Sequence, residues 1–186
     1  MKRRLALEIQ RDDHKYDAIG QVFLGATDRD ETLRLLRAYL GPHVSLHHVE
    51  IDDAVIHLEV DVREFPTESR NLVELGRSML RQGRAKAAIG HLEEALRLSP
   101  LGADALKTLG RLHYRHRQRE PARRYLVRAR EVAPADLEVL RLLAEIALHE
   151  NRPLEARSYL ERVLRVRPLD RRARAALARL QPPGEE

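Results

Sequence analysis

An interval of 34 residues recurs through residues 69–168, and it constrains the fold more than any other feature of the chain. Leu75-Gly76 and Leu109-Gly110 lie one interval apart, and Leu143-Ala144 follows after another. The same interval separates Pro100, Pro134 and Pro168, then Leu72, Leu106 and Leu140, then Ala88, Ala122 and Ala156, then Leu92, Leu126 and Leu160. Three copies in register predict stacked repeats, each of which needs a neighbour to bury its apolar surface.

Each copy contains two helix patterns. In residues 69–82 and again in residues 84–98, apolar residues recur at steps of three and four, which predicts an apolar stripe on each helix. Gly83 separates the two patterns and Pro100 ends the second. Small residues let the paired helices approach closely. They are Gly76, Gly110 and Ala144 on the first helix and Ala88, Ala122 and Ala156 on the second.

This spacing of small and apolar residues resembles the tetratricopeptide repeat family, whose pattern is W-x2-L-G-x2-Y…A-x3-F…P. Here aliphatic residues fill most of the aromatic positions, and His113 fills one of them. The resemblance covers about residues 69–180 and implies a mainly α fold, a three-repeat solenoid with a C-terminal capping helix. The expected boundaries are 67–181 for the array, with copies at 69–102, 103–136 and 137–169 and the capping helix at 170–180. Residues 182–186 are expected to be a disordered tail.

The preceding residues 1–66 differ in charge and pattern and predict a small acidic α+β domain. Residues 1–69 hold 9 Lys or Arg and 14 Asp or Glu, whereas residues 70–186 hold 25 and 15. Alternating apolar residues predict a strand near residues 5–9, and Asp28 precedes a predicted helix that Gly41 ends. A hairpin is predicted at 44–62, around Asp52-Asp53. Pairing Ile51 with Ala54 places Val49, Ile51, Ile56, Leu58, Val60 and Val62 on one face.

That pairing also sets His48 opposite His57, with Glu50 and Glu59 nearby. Two His and a carboxylate are a possible metal site, but the spacing matches no zinc motif, so a solvated sheet face is preferred. No metal, cofactor or catalytic site is predicted. The chain lacks cysteine, a Gly-rich phosphate loop and the serine and zinc hydrolase motifs, so an enzyme is not expected. No signal peptide or membrane span is evident, which predicts a cytoplasmic protein without a membrane partner.

The family resemblance implies that first helices line a concave groove and that the protein is an adaptor or scaffold for protein–protein interactions. Position by position, the groove would hold a cationic strip of Arg77, Lys107, Arg111 and Arg141, with Val73, Tyr114 and Leu148 as apolar pockets. An acidic peptide or partner protein fits such a surface. The predicted peptide-binding residues are Arg77, Arg81, Lys107, Arg111, Tyr114, Arg115, Arg141 and Leu148. Some members clamp a C-terminal carboxylate with Lys and Asn, but Arg77 stands where one Asn is expected.

An alternative function rests on the arginines of residues 111–130, which are interleaved with Tyr114 and Tyr125. Arginine can pair with phosphates and tyrosine can stack on bases, so this surface could bind nucleic acid. A second open question is whether the acidic N-terminal domain covers the groove, in its own chain or in another copy. Self-association therefore stays possible.

Overall fold

The structure, a computed structural model, describes residues 2–14, 19–26, 28–41, 43–63 and 66–180. It confirms a mainly helical fold with a small antiparallel sheet near the N-terminus. The chain divides into two compact units, Met1–Leu106 and Lys107–Glu186. The domain boundary expected at residue 66 stays a prediction, and the expected disordered tail at 182–186 lies outside the described residues.

Unit 1, residues 1–106, opens with the sheet. Strand β1 spans Lys2–Gln10, β2 Val44–Ile51 and β3 Val55–Arg63, in the order β1-β3-β2. Both pairings with the central β3 are antiparallel. Because side chains alternate along a strand, one face collects the core residues Leu7, Ile9, Ile56, Leu58, Val60 and Val62, all buried.

Two helices precede the hairpin in unit 1. Helix α1 spans Gly20–Phe23, and the predicted α2 spans Arg29–Leu40. The Asp28 carboxylate accepts a hydrogen bond of 2.7 Å from Glu31 N–H, which caps α2. Gly41 ends the helix with a φ of 95°, a conformation that glycine adopts without strain. Leu36 and Leu40 supply the fully buried side of α2.

The predicted register of the hairpin was wrong by two residues. Ile51 pairs with Ile56, not with Ala54, and His48 lies opposite Glu59, not His57. The turn is longer because the Asp52 carboxylate accepts hydrogen bonds from the N–H groups of Ala54 and Val55, at 2.8 and 2.6 Å. A shift of two keeps the same residues on the same face. The predicted residues therefore still share one face of the sheet, although Ile51 at its edge is 41% exposed.

Unit 1 continues with the first helical pair. Helix α3 spans Pro66–Arg81 and α4 spans Ala85–Leu98, and they pack against each other. A Cβ added to Gly76 would lie 2.9 Å from Leu92 Cγ, which confirms the predicted small-residue contact. Thr67 and Ser69 lie inside α3, and the buried Ser69 hydroxyl donates to Ala95 O. A Cβ added to Gly41, at the end of α2, would lie 3.6 Å from the Pro100 side chain.

Unit 2, residues 107–186, contains the remaining helices. Helix α5, Ala103–Arg115, begins in unit 1 and ends in unit 2. It is followed by α6 at Arg119–Val132, α7 at Leu137–His149, α8 at Pro153–Val166 and α9 at Arg171–Leu180. A Cβ on Gly110 would lie 2.5 Å from Leu126 Cγ and 3.4 Å from Ala122 O, and the Gly76 contact has the same 3.4 Å backbone distance to Ala88 O. The predicted capping helix is confirmed as α9, whose Ala173 N–H donates to the Asp170 carboxylate at 2.9 Å.

The turn inside each helical pair has one backbone design. Gly83, Arg117 and Asn151, one interval apart, have φ values of 74°, 59° and 57°. In the first turn Arg84 N–H bonds to Met79 O and Gly83 N–H to Leu80 O. These two bonds are those of a Schellman motif, and equivalent bonds occur in the other two turns. The interval therefore fixes backbone geometry as well as apolar packing.

Candidate functional site

Of the predicted peptide-binding residues, Arg77 and Arg81 belong to unit 1. The Arg77 guanidinium donates to Glu74 at 2.7 Å and to Asp104 at 3.1 Å. Arg81 is exposed, and no ion pair is described for it within residues 66–180. Val73, expected to line an apolar pocket, is buried in the core of this unit instead. Arg77 is thus charge-paired and Arg81 is the more accessible cation.

In unit 2, Lys107 and Arg141 each bind the aspartate at the start of the next first helix. Lys107 Nζ lies 2.8 Å from Asp136 Oδ2, and Arg141 pairs with Asp170. Both aspartates also cap helices, because Asp136 accepts from the N–H groups of Glu138 and Val139 and Asp170 accepts from Ala173. Lys107 therefore joins α5 to the N-terminus of α7, and Arg141 joins α7 to the N-terminus of α9.

Hydrogen bonding to these two aspartates lowers their pKa. Burial alone would raise the pKa of Asp136, but hydrogen bonds from Lys107 and from Val139 N–H outweigh it and hold the pKa below its ordinary value. For Asp170 the backbone N–H of Ala173 lowers the pKa most, followed by the Arg141 guanidinium. Both carboxylates are therefore charged at neutral pH.

Two further contacts join α5 to α7. Arg111 donates to Glu138 at 3.0 Å, with both side chains 42% exposed. The Tyr114 hydroxyl donates to Glu145 at 2.9 Å, and its pKa is raised to about 12 by burial and by the neighbouring carboxylate. The phenol therefore stays protonated and keeps α5 and α7 side by side.

Arg115 and Leu148 are the remaining two predicted peptide-binding residues. Arg115 is exposed at the end of α5, and no ion pair is described for it among residues 66–180. Leu148 is 40% exposed on α7. Arg115 follows Arg111 by four residues and Leu148 follows Glu145 by three, so helical spacing places each on the side of its helix that carries these contacts.

The charge pairing was missed at the sequence level, although the chain carries a signal for it. The acid follows its cation by 27 residues in Arg77–Asp104 and Arg111–Glu138, and by 29 residues in the other two pairs. Each spacing occurs twice, one repeat apart. A search for opposite charges at a constant offset near the repeat length would have found these pairs.

The arginines of residues 111–130 do not form one open surface. Arg123 is buried and donates to Glu155 at 3.1 Å, and Arg130 is also buried. Arg124 pairs with Glu120. Tyr125 stacks on His113, whose Nδ1 lies 2.7 Å from the Gln118 side-chain oxygen. The exposed arginines of this segment, Arg115, Arg117, Arg119 and Arg124, lie at and just after the α5–α6 turn.

The histidines of the hairpin lie near carboxylates, and one of them is within hydrogen-bond distance. His47 Nε2 lies 2.6 Å from Asp61, while His57 lies 3.8 Å from both Glu8 and Asp52. Across the described residues, no group of three or more His, Asp or Glu side chains is placed to hold a metal ion. None of the helices in that same part of the chain has the length and hydropathy needed to cross a bilayer.

Comparison with known proteins identifies the repeats. The family model described as tetratricopeptide repeat matches residues 79–146 and, in an overlapping match, residues 121–180. Together these matches cover more than half of the chain. A search of curated protein sequences gave no significant match.

Solved structures share the helical fold at low sequence identity. The first TPR domain of Spaghetti (RPAP3), bound to an HSP90 peptide, SRMEEVD, is 17% identical, with a TM-score of 0.58 over 63% of this chain and 94% of that one. The Arabidopsis OM64 TPR domain is also 17% identical, with a TM-score of 0.56 over 61% and 94%. A repeat protein from Parabacteroides merdae is 22% identical, with a TM-score of 0.58 over 62% of this chain and 45% of that one.

Proposed function

We propose, from the premise that this chain belongs to the tetratricopeptide repeat family, that it is a protein–protein interaction adaptor which binds an acidic peptide or the acidic segment of a partner protein. The observation that carries this proposal is the surface shared by α5 and α7 in unit 2. The Arg111–Glu138 and Tyr114–Glu145 contacts hold these two first helices side by side. Exposed Arg115 and Leu148 add a cation and an apolar side chain to the same surface.

The cations on this surface divide into two groups by the exposure of their ion pairs. The acid partners of Lys107 and Arg141 cap helices and are mostly buried, with side chains 23% and 6% exposed. The Arg111–Glu138 pair is half exposed, and exposed pairs contribute only about 0–1 kcal/mol. A ligand carboxylate can therefore replace Glu138 on Arg111 at little cost. We infer that Arg111 and Arg115 bind acidic ligand groups, while Lys107 and Arg141 chiefly hold the repeats together.

The preferred ligand is an acidic peptide that also carries an apolar side chain. Guanidinium groups bind carboxylates with two parallel hydrogen bonds, and Leu148 with the Tyr114 ring offers an apolar contact beside them. The peptide bound to the RPAP3 domain, SRMEEVD, combines acidic and apolar residues in the same way. In unit 1, Arg77 and Arg81 are proposed as acid-binding residues because they lie one repeat before Arg111 and Arg115 and occupy the same positions.

The proposal is tested by selecting binders for the full chain from a peptide display library. Enrichment of Asp or Glu together with aliphatic residues is expected. For the selected peptide, Arg111→Glu with Arg115→Glu should weaken binding at least a hundredfold, because two attractive charges become repulsive. Arg84→Glu with Lys86→Glu changes the net charge equally at exposed positions at the start of α4 and should leave affinity within threefold. A loss in the second variant but not in the first would contradict the assignment to α5 and α7.

Nucleic-acid binding through residues 111–130 is less well supported than peptide binding. Arg123 and Arg130 are buried, and Arg123 is paired with Glu155, so these two arginines are not part of an exposed surface. A cytoplasmic location and self-association stay predictions from the sequence.

A further inference from the structure

The last helix, α9, has an exposed face composed of only two residue types. Its exposed positions are Arg171, Arg172, Arg174, Ala175, Ala178 and Arg179. The opposite side packs in unit 2 through the buried Ala173 and the half-buried Ala176, Leu177 and Leu180. Four of the six exposed positions are therefore cationic and no position of α9 is acidic.

The cationic face continues into the end of α8 and the turn that follows it. Arg165 and Arg167 are exposed there. The one acid between residues 165 and 180 is Asp170, which is buried and bonded to Arg141 and to Ala173 N–H. We call the six residues Arg165, Arg167, Arg171, Arg172, Arg174 and Arg179 the terminal arginine cluster. Its charge is not offset by any acid within the segment.

Several other cations of unit 2 are bound to acids, unlike the six of the cluster. Lys107, Arg111, Arg123, Arg124 and Arg141 all lie in ion pairs. For the six members of the cluster, no ion pair is described within residues 66–180. Arg171 and Arg172 also occupy the first turn of α9, where the positive end of the helix dipole disfavours cations. An anion bound there would relieve that repulsion.

We propose that the terminal arginine cluster binds the phosphate backbone of nucleic acid without reading its sequence. A ten-residue helix is roughly 15 Å long, and each strand of duplex DNA presents a phosphate for about every 3.4 Å of duplex axis. The α9 face is thus long enough to follow several successive phosphates. Ala175 and Ala178 have no long side chains that would keep a backbone at a distance from the helix.

The uniform sign of the cluster favours a polyphosphate over other anionic partners. A folded acidic protein would need a matching run of acids without cations. An anionic bilayer would use apolar side chains inserted beside the cations, but the apolar residues of α9 face its own unit. Val166 and Leu169 are exposed beside Arg165 and Arg167 on the preceding turn, but the exposed face of α9 itself carries no apolar side chain larger than alanine. The cluster therefore fits a polymer with regular negative charge.

The test is fluorescence anisotropy of the full chain with a labelled DNA duplex and with a single-stranded RNA of the same length, over a series of salt concentrations. Arg172→Ala with Arg179→Ala removes two exposed cations, and alanine maintains the helix. We expect at least tenfold weaker binding and a reduction of about 2 in the slope of log K against log salt. The stronger of the two probes identifies the form of nucleic acid.

The matched control is Arg119→Ala with Arg124→Ala, which removes the same charge from exposed positions on α6. Its affinity should stay within threefold of the wild-type value, and thermal unfolding of both variants confirms that they are folded. If the two variants weakened nucleic-acid binding equally, net charge alone would explain the loss, and the proposal would be overturned. The proposal would also be overturned if the chain bound neither the DNA duplex nor the RNA. Tighter binding to polyglutamate or to phosphatidylserine vesicles than to both nucleic acids would overturn it as well. The peptide assay of α5 and α7 uses different residues, so either proposal can fail alone.

Discussion

The first helical pair and the pairs of unit 2 share one set of structural positions but fill them differently. Gly102, Asp136 and Asp170 occupy the same position, and each carbonyl accepts the first hydrogen bond of the following helix. In unit 2 the aspartates also bind Lys107 and Arg141. In unit 1 the corresponding residues are Gly102 and Val73, which form no ion pair.

The comparison shows that backbone geometry is constant between the repeats, whereas one kind of ion pair varies. Arg77–Asp104 recurs as Arg111–Glu138, but the Lys107–Asp136 and Arg141–Asp170 kind has no equivalent among the described residues of unit 1. The turn with positive φ follows the same rule, because Gly83 holds it in unit 1 whereas Arg117 and Asn151 hold it in unit 2. Packing of small residues is common to both, through Gly76 and Gly110. Substitutions at a shared contact should therefore be severe in either unit, and those at charged positions should affect only the repeat that carries them.

The largest expected effect is at the shared small-residue contact. Gly110→Leu would place its Cβ 2.5 Å from Leu126 Cγ and force α5 away from α6. The loss in unfolding free energy should be about 3 kcal/mol or more, at the upper end of the overpacking range. Urea denaturation followed by circular dichroism measures it.

The control is Gly90, an exposed helical glycine with no atom within 4 Å of an added Cβ. Gly90→Ala should stabilise by up to about 1 kcal/mol, because alanine has the higher helix propensity. An unchanged midpoint in Gly110→Leu would show that α5 and α6 do not pack through this glycine.

The second effect separates the charged position from its uncharged equivalent. Asp136→Ala removes both the cap of α7 and the partner of Lys107. The expected loss is about 1–2 kcal/mol. Gly102→Ala should cost less, since glycine provides neither a capping side chain nor an ion pair. Thermal unfolding compares the two, and an equal or greater loss at Gly102 would contradict the comparison.

Residues 69–180 could be predicted well because each position is repeated in the sequence. The small-residue contact and the helix ends follow from local patterns that recur at one interval. The long-range ion pairs were not predicted there. The sequence alone predicts a strip of unpaired cations at Arg77, Lys107, Arg111 and Arg141. Their acid partners lie 27 or 29 residues later, in or next to another helix, so patterns within a single helix do not reveal them.

The sheet has no repeats, so its register had to be inferred from one copy. The apolar positions of β2 change from even numbers, Val44 and Leu46, to odd numbers, Val49 and Ile51. This change marks the irregularity between Leu46 and His48, which brings both sets to one face. The two-residue error came from the Asp52 turn, whose side-chain hydrogen bonds are not visible in hydrophobic alternation.

The third prediction uses pH to isolate charge in unit 2. The pKa values of Asp136 and Asp170 are lowered below the ordinary 3.8 in the folded chain. Their stabilisation is therefore complete above the ordinary value and is lost as pH falls through the folded pKa values. Asp136→Asn with Asp170→Asn should lower the Tm by several degrees at pH 7. The difference from wild type should shrink as pH falls below 3.8, and a constant difference would exclude an ionic contribution.

The smallest effect concerns the turn with positive φ. Arg117 has a φ of 59° and Asn151 a φ of 57°, where side chains with a Cβ are strained. Asparagine tolerates this conformation better than arginine does. Arg117→Gly should therefore stabilise by roughly 0.5–1 kcal/mol, the difference between relief of strain and the entropy cost of glycine. Asn151→Gly should gain less, and Gly83→Arg, the reverse exchange in unit 1, should destabilise. Chemical denaturation of the three variants gives their order, and destabilisation by Arg117→Gly would mean that the arginine side chain makes a compensating contact.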